Sequence, residues 1–267
     1  MVRPKKSLGQ HFLTDQDIAR RIAATVDSCP GLPVVEVGPG TGVLTRYLLE
    51  AGRDLTVVEL DSESVEYLRQ GHVPGLRDDR IVEADFLRLD LRGLTGGRKL
   101  CLIGNYPYNI SSQIFFKVLD DRDLVQECSG MLQREVAERI CAAPGSKARG
   151  ILSVLLQVWY DCEYLFTVPE HVFNPPPKVK SGVIRLMRND VTDPGCDFRL
   201  MRAVVKTTFG QRRKTIRNSV RPLLPAGVPF PADEPLGALR PEQLSVEQFV
   251  ALTNLIASLR ASTDSAR

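Results

Sequence analysis

Val34-Val35-Glu36-Val37-Gly38-Pro39-Gly40-Thr41-Gly42-Val43-Leu44-Thr45 joins a β-branched apolar run to a helical pattern through three alternating glycines. The valine run reads as a buried strand, and the apolar spacing of Val43–Leu49 as the helix that follows. Glycines at a strand-to-helix turn let a ligand lie against bare backbone. The spacing is G-x-G-x-G. In the dinucleotide fingerprint G-x-G-x-x-G the third glycine would fall at Val43. The pattern therefore points away from a nicotinamide dinucleotide and toward a smaller nucleoside.

Three more strand signals follow. Leu55-Thr56-Val57-Val58 ends at Glu59, a carboxylate that suits the two hydroxyls of a ribose. Arg80-Ile81-Val82 leads into Glu83-Ala84-Asp85-Phe86, where Asp85 can accept from an adenine amine and Phe86 can pack on the ring. Leu100-Cys101-Leu102-Ile103 runs into Gly104-Asn105-Tyr106-Pro107-Tyr108-Asn109. The Asn105 carboxamide oxygen and the neighbouring Tyr106 carbonyl can both accept from an exocyclic NH2 group, and Tyr108 can stack on a base. Each signal also has a plain reading, because Asn, Gly and Pro form turns and lone acids sit in solvated loops. Open α/β sheets bind ligands beyond the carboxyl ends of their strands, which accounts for all four signals at once.

Taken together, the glycine turn, Glu59, Asp85 and Asn105-Tyr106-Pro107-Tyr108 resemble S-adenosylmethionine-dependent methyltransferases that act on adenine N6. Three further segments narrow the resemblance: Ser7-Leu8-Gly9-Gln10-His11-Phe12-Leu13, Val172-Phe173-Asn174-Pro175-Pro176-Pro177-Lys178-Val179-Lys180-Ser181, and Phe209-Gly210-Gln211-Arg212-Arg213-Lys214-Thr215-Ile216-Arg217-Asn218. They are similar to those of the ribosomal RNA adenine dimethyltransferases, of the KsgA type, over all but the last few residues. The resemblance implies a Rossmann-like class I methyltransferase sheet, a small C-terminal all-helical domain, and S-adenosylmethionine as cofactor. It also implies N6,N6-dimethylation of two adjacent adenines near the 3′ end of small-subunit (16S) RNA, with a role in small-subunit biogenesis. By the same resemblance Asn105, Tyr106, Pro107 and Tyr108 hold the target base, with Phe173 on its other face. His11, Leu13, Gly38, Gly40, Glu59, Asp85, Phe86 and Asn105 then bind the cofactor. His11 stands where Asn is common in the family, so the contact there is made by its side chain or by its backbone. Tyr106 stands where Leu is frequent, an exchange to which a carbonyl role is indifferent.

Composition sets limits. A hydrophobic content of 43% over 267 residues supports a packed core and argues against a disordered chain. No apolar stretch approaches a membrane span, and Met1-Val2-Arg3-Pro4-Lys5-Lys6 lacks the apolar run of a signal peptide. The six cysteines include no C-x-x-C pair and read as reduced core thiols of a cytosolic protein, neither a disulfide frame nor a zinc site. The three histidines show no metal spacing, so no metal is expected. A net charge of +3 says little about a polyanionic partner, but its distribution says more. No Asp or Glu occurs between Phe198 and Ala232, a stretch that carries Arg199, Arg202, Lys206, Arg212, Arg213, Lys214, Arg217 and Arg221. Uncompensated like charges repel, and phosphates would relieve them. Arg212, Arg213, Lys214 and Arg217 are thus candidate RNA contacts. The acid-free residues 1–14, with Arg3, Lys5 and Lys6, form a second basic segment.

Strand and helix signals alternate up to about Arg188, and beyond the turn-rich Asn189–Gly195 the pattern is helical only. The expected division is a methyltransferase domain over 1–188, a linker over 189–195 and a helical RNA-binding domain over 196–267. Within the first, a last pair of strands over Glu163–Val168 and Val179–Met187 is expected as a hairpin at the sheet edge. The expected partner is small-subunit RNA or the immature subunit, met by a cytoplasmic monomer. Two enzyme alternatives remain: a resistance-type dimethyltransferase of large-subunit RNA, and a DNA adenine methyltransferase, which calls for a larger recognition region. A non-catalytic assembly factor with the same fold is a third, distinguished by methyl transfer itself.

Overall fold

The computed structural model describes residues 2, 4–5 and 8–264. Arg3, Lys6 and Ser7, named above in the N-terminal segment, lie outside them.

The chain forms two compact units. The first comprises Met1–Glu138 and Asp161–Arg188. Its strands are β1 (Phe12–Leu13), β2 (Val34–Val37), β3 (Leu55–Glu59), β4 (Ile81–Glu83), β5 (Leu100–Asn105), β6 (Val125–Gln133), β7 (Tyr160–Val168), β8 (Phe173–Asn174) and β9 (Ser181–Arg188). Seven of them form one sheet in the order β4-β3-β2-β5-β6-β9-β7. The pairs from β4 to β6 are parallel, and β9 runs antiparallel to β6. All four residues of β2 and all five of β3 are buried, which is why they read as unbroken apolar runs.

Helices α1 (Gln16–Ala23), α2 (Val43–Glu50), α3 (Ser62–Tyr67), α4 (Leu91–Thr95) and α5 (Ser111–Asp120) fall between these strands. Asp15 caps α1 by accepting from the Asp17 and Ile18 amides. Ile22, Val26, Leu48, Val57 and Ile103 meet in the core beneath the sheet. The parallel strands β2, β3, β4 and β5 end on one side, at Val37, Glu59, Glu83 and Asn105. There the short pair β1-β8 aligns Phe12 with Asn174 and Leu13 with Phe173.

Strand β6 runs over Val125–Gln133. Its polar Gln126, Glu127 and Ser129 hide a segment that is buried between β5 and β9. The expected last pair of strands lies at the sheet edge, with β7 outermost and β9 beside it.

The second unit comprises Arg139–Tyr160 and Asn189–Arg267. The expected boundary at 188 is therefore incomplete, because α7 (Ile151–Gln157) lies with the C-terminal helices, following α6 (Arg134–Ile140). The reason is apolar and aromatic packing: Trp159 meets the Phe198 ring edge-on at 5.2 Å, at the start of α8 (Phe198–Gly210). After α8 come the short α9 (Ile216–Ser219) and a single turn over Arg221–Leu223. Pro222, within that turn, lacks the N–H a longer helix needs. The long α10 (Val246–Asp264) supplies Phe249, Leu252 and Ile256 to the core of this unit.

Candidate active site

A cleft opens beyond the carboxyl ends of β2, β3, β4 and β5. The glycine turn forms its floor. Gly40 takes φ +56°, and a Cβ there would lie 2.8 Å from the Phe12 ring, so the close approach of β1 requires glycine. The Gly40 amide donates to Glu59 Oε2 at 3.0 Å. The Leu60 and Asp61 amides both donate to Glu59 Oε1 at 2.9 Å. Glu59 thus pins the turn to the end of β3 and keeps spare acceptor capacity at Oε2. Burial raises its carboxyl against the pull of these three amides, the charge of Asp61 adding to the rise.

Asp85 is the next strand-end acid. Its Oδ1 caps the following turn by accepting from the Leu87 amide at 2.9 Å, and Arg88 stands 3.6 Å from Oδ2. Phe86 is buried beside it, and both line the cleft.

Asn105 ends β5. Its Nδ2 donates to the His11 carbonyl at 2.9 Å. A carbonyl can only accept, so the amide group must face His11 and Oδ1 must face away from it. The adjacent Tyr106 amide donates to the Met131 carbonyl. The Tyr106 carbonyl accepts no hydrogen bond among the described residues. Its side chain turns inward: the hydroxyl donates to the Ser129 carbonyl at 2.7 Å, and the ring rests on Gly104 and Gly130. At Gly130 a Cβ would lie 2.7 Å from that ring. Burial lifts the Tyr106 hydroxyl far above the usual tyrosine range. Tyr108 lines the cleft, hydrogen-bonded through its hydroxyl to Ser181 Oγ, with its ring centroid 5.4 Å from that of His11.

His11 Nδ1 lies 2.8 Å from the Pro175 carbonyl, so Nδ1 carries the proton and donates. The backbone carbonyl of His11 holds Asn105, which gives this residue a positioning part through its backbone. Leu13 and Gly38 also line the cleft.

Phe173 departs from expectation. It is only 4% exposed and packs in the core with Leu13, its partner across the β1-β8 pair. Strand alternation turns the neighbouring Asn174 outward and Phe173 inward. Its ring is not among the cleft's lining groups.

Two lining residues have no place in the motif reading. Leu60 is 53% exposed beside Glu59, an apolar side chain displayed in the cleft. Glu36 is buried within β2, where Thr45 Oγ1 donates to its Oε2 at 2.7 Å. Burial pushes Glu36 up to about 8, with Thr45 opposing and the charge of Glu59 adding. An acid inside an apolar strand was the available signal.

The basic stretch belongs to the second unit. Arg217 Nη2 donates to the Ala232 carbonyl at 2.8 Å, and its Nε is buried. Arg212 donates to the Lys147 carbonyl and stands 3.8 Å from Glu242. Both thus have partners within the unit. Arg213 and Lys214 are exposed. Lys5 of the N-terminal segment is likewise paired, with the nearly buried Asp61 and at 3.6 Å with Glu63.

A sequence model of the family described as "Ribosomal RNA adenine dimethylase" matches residues 1–258. The chain belongs to that family. It is 64% identical over 253 residues to the "Ribosomal RNA small subunit methyltransferase A" of Parabacteroides distasonis, covering 95% of this chain and 94% of the relative. The protein of the same description from Phocaeicola vulgatus is 59% identical over 265 residues, covering 99% and 94%. Among solved structures, a dimethyladenosine transferase from Plasmodium falciparum has a TM-score of 0.74 at 22% identity, covering 94% of this chain and 98% of that one, a likeness of fold. The 23S rRNA methyltransferase ErmE has a TM-score of 0.66 at 27% identity, covering 91% and 99%. The chain is a methyltransferase of class I fold that uses S-adenosylmethionine. The cleft fits that cofactor: bare backbone at the turn, spare acceptor capacity at Glu59 and Asp85, and apolar cover from Leu60 and Phe86.

Proposed function

We propose that this chain dimethylates N6 of two adjacent adenines near the 3′ end of small-subunit ribosomal RNA, acting on the immature subunit in the cytoplasm as a monomer. The observation that carries this reading is the fixed carboxamide of Asn105. Its amide group is spent on His11, so Oδ1 is the atom left to accept, and the unbonded Tyr106 carbonyl stands next to it in the chain.

S-adenosylmethionine, when bound, supplies an electrophilic methyl group on a sulfonium. Gly38 and Gly40 would give it backbone to lie against, Glu59 would accept from its ribose and Asp85 from its adenine amine, with Leu60 and Phe86 as apolar cover. The N6 of a target adenine is a poor nucleophile because its lone pair is delocalised into the ring. Asn105 Oδ1 and the Tyr106 carbonyl accept its two N–H groups, favour a pyramidal nitrogen and aim the lone pair. Tyr108, steadied by Ser181, stacks on the base, and Pro107 stiffens the turn between the two. The proton leaves to water after transfer, so catalysis rests on orientation and preorganised acceptors.

The test is transfer of labelled methyl groups to unmethylated small subunits, followed by mapping of the modified nucleotides. Two methyls on each of two neighbouring adenines are expected. Label confined to large-subunit RNA would favour the resistance-type reading. Thermal stabilisation by the cofactor with no transfer to either subunit would favour a non-catalytic factor.

A further inference from the structure

Cys29, Cys101 and Glu127 are far apart in the chain, and the fold brings them together at the end of the sheet opposite the cleft. Cys101 stands near the start of β5, whose other end carries Asn105. Glu127 lies opposite it on β6, and Cys29 follows the turn after α1. Their two sulfurs and a carboxylate oxygen all lie within 4.8 Å of one another. Cys101 and Glu127 are fully buried, while Cys29 is partly open. Glu127 Oε2 accepts from Ser28 Oγ at 2.9 Å, but its Oε1 is buried without a hydrogen-bond partner. Leaving such an atom unsatisfied costs about 1–3 kcal/mol. Ser28 Oγ in turn lies 3.8 Å from Met187 Sδ, so the surroundings are rich in sulfur.

Two guanidinium groups act on Glu127 by their charge. Arg53 is bound to Asp27 and to the Val26 carbonyl, and Arg185 Nη2 to Glu163, while Arg185 Nε is buried without a hydrogen-bond partner. A cation accounts for all three groups together. Zinc takes Cys and carboxylate ligands, with Zn–S bonds of about 2.3 Å, which in a tetrahedron sets the sulfurs about 3.8 Å apart. Small side-chain shifts bring the cluster to that spacing.

We propose that Cys29, Cys101 and Glu127 form a site for a thiophilic divalent cation, zinc by its chemistry, with its fourth position open toward Ser28. Binding displaces the thiol protons to solvent. The cation ties the turn after α1 to the starts of β5 and β6, away from the methyl-transfer cleft.

The test uses the full-length reduced protein, stripped with a chelator and titrated with zinc or cobalt(II). One equivalent of cobalt(II) should give thiolate-to-metal charge-transfer absorption, and zinc should raise the melting temperature by several degrees. Cys29→Ser and Glu127→Gln should each weaken binding by more than the roughly 10–100-fold that loss of a supporting partner costs. Cys29 is partly open and Glu127→Gln is isosteric, so cofactor-induced stabilisation of both variants serves as the check on folding. Equal zinc affinity in wild type and both folded variants overturns the proposal. So does the absence of any charge-transfer band in the wild type.

Discussion

The cleft and the basic stretch of the helical unit use backbone hydrogen bonds to opposite effect. In the cleft, each bond fixes a polar group and leaves another of its atoms to act. Asn105 spends its amide on His11 and keeps Oδ1, and Asp85 spends Oδ1 on the Leu87 amide and keeps Oδ2. In the basic stretch such bonds absorb the group. Arg217 is folded onto the Ala232 carbonyl, with its Nε buried. A functional side chain is therefore better recognised by the atom its bonds leave over than by its charge.

The strongest challenge to this contrast is Asn105→Ala. It should keep the fold and most cofactor affinity, yet lower methyl transfer by roughly 10²–10³-fold, the scale of one preorganised polar group. Near-normal turnover would show that the leftover oxygen has no part in the chemistry.

Glu59→Ala should weaken S-adenosylmethionine binding by about 1–3 kcal/mol, the worth of a hydrogen bond to a charged group. Because Glu59 also holds the Gly40 amide, Glu59→Gln is the sharper variant: it retains acceptors but loses the charge. Calorimetry with unchanged affinity in both would remove Glu59 from the ribose site.

Glu36 gives a pH signature in cofactor-free protein. Its carboxyl is pushed from about 4.5 when unfolded to about 8 when folded. The folded state therefore binds the extra proton between those values. The stability this brings is complete below the unfolded value and is lost as pH rises through the folded one. Glu36→Gln cannot lose that proton, so it should flatten the decline by a few kcal/mol at most, each pKa unit being worth about 1.4 kcal/mol. Urea midpoints measured across the window would show it, and parallel curves for the two proteins would refute a neutral Glu36.

The smallest effect divides the cations themselves. Changing Arg213 and Lys214 to Gln should flatten the salt dependence of subunit binding by about 0.7–0.9 log unit per lost phosphate contact. Arg217→Gln should instead loosen the Pro231–Ala232 loop and leave the slope unchanged. If all three flatten it alike, the division between free and absorbed cations fails.

The sheet was legible because β2, β3 and β5 are buried on both faces and so appear as apolar runs, and because their ends carry Gly38, Glu59 and Asn105. Strand β6 was mostly hidden, since Gln126, Glu127 and Ser129 break its apolar pattern and only tertiary burial makes it a strand. Phe173 misled for a related reason: its direction depends on a two-residue pairing with Leu13 that no local pattern encodes. The partners of Arg212 and Arg217 are backbone carbonyls, and carbonyls leave no trace in composition. The grouping of Cys29, Cys101 and Glu127 depends wholly on how β5 and β6 are aligned.

The inward ring of Tyr106 has a bearing on timing. Wedged over Gly104 and Gly130 and tethered to Ser129, it anchors the Asn105–Tyr106 turn to the sheet, so the two acceptors keep their places from one turnover to the next. An adenine that has received one methyl returns with a single N–H to offer those two fixed acceptors, and one of them then faces a methyl group. The first and second transfers to the same nitrogen should accordingly run at different rates, and single-turnover kinetics on unmodified and monomethylated substrate would reveal how much the monomethylated form accumulates between them.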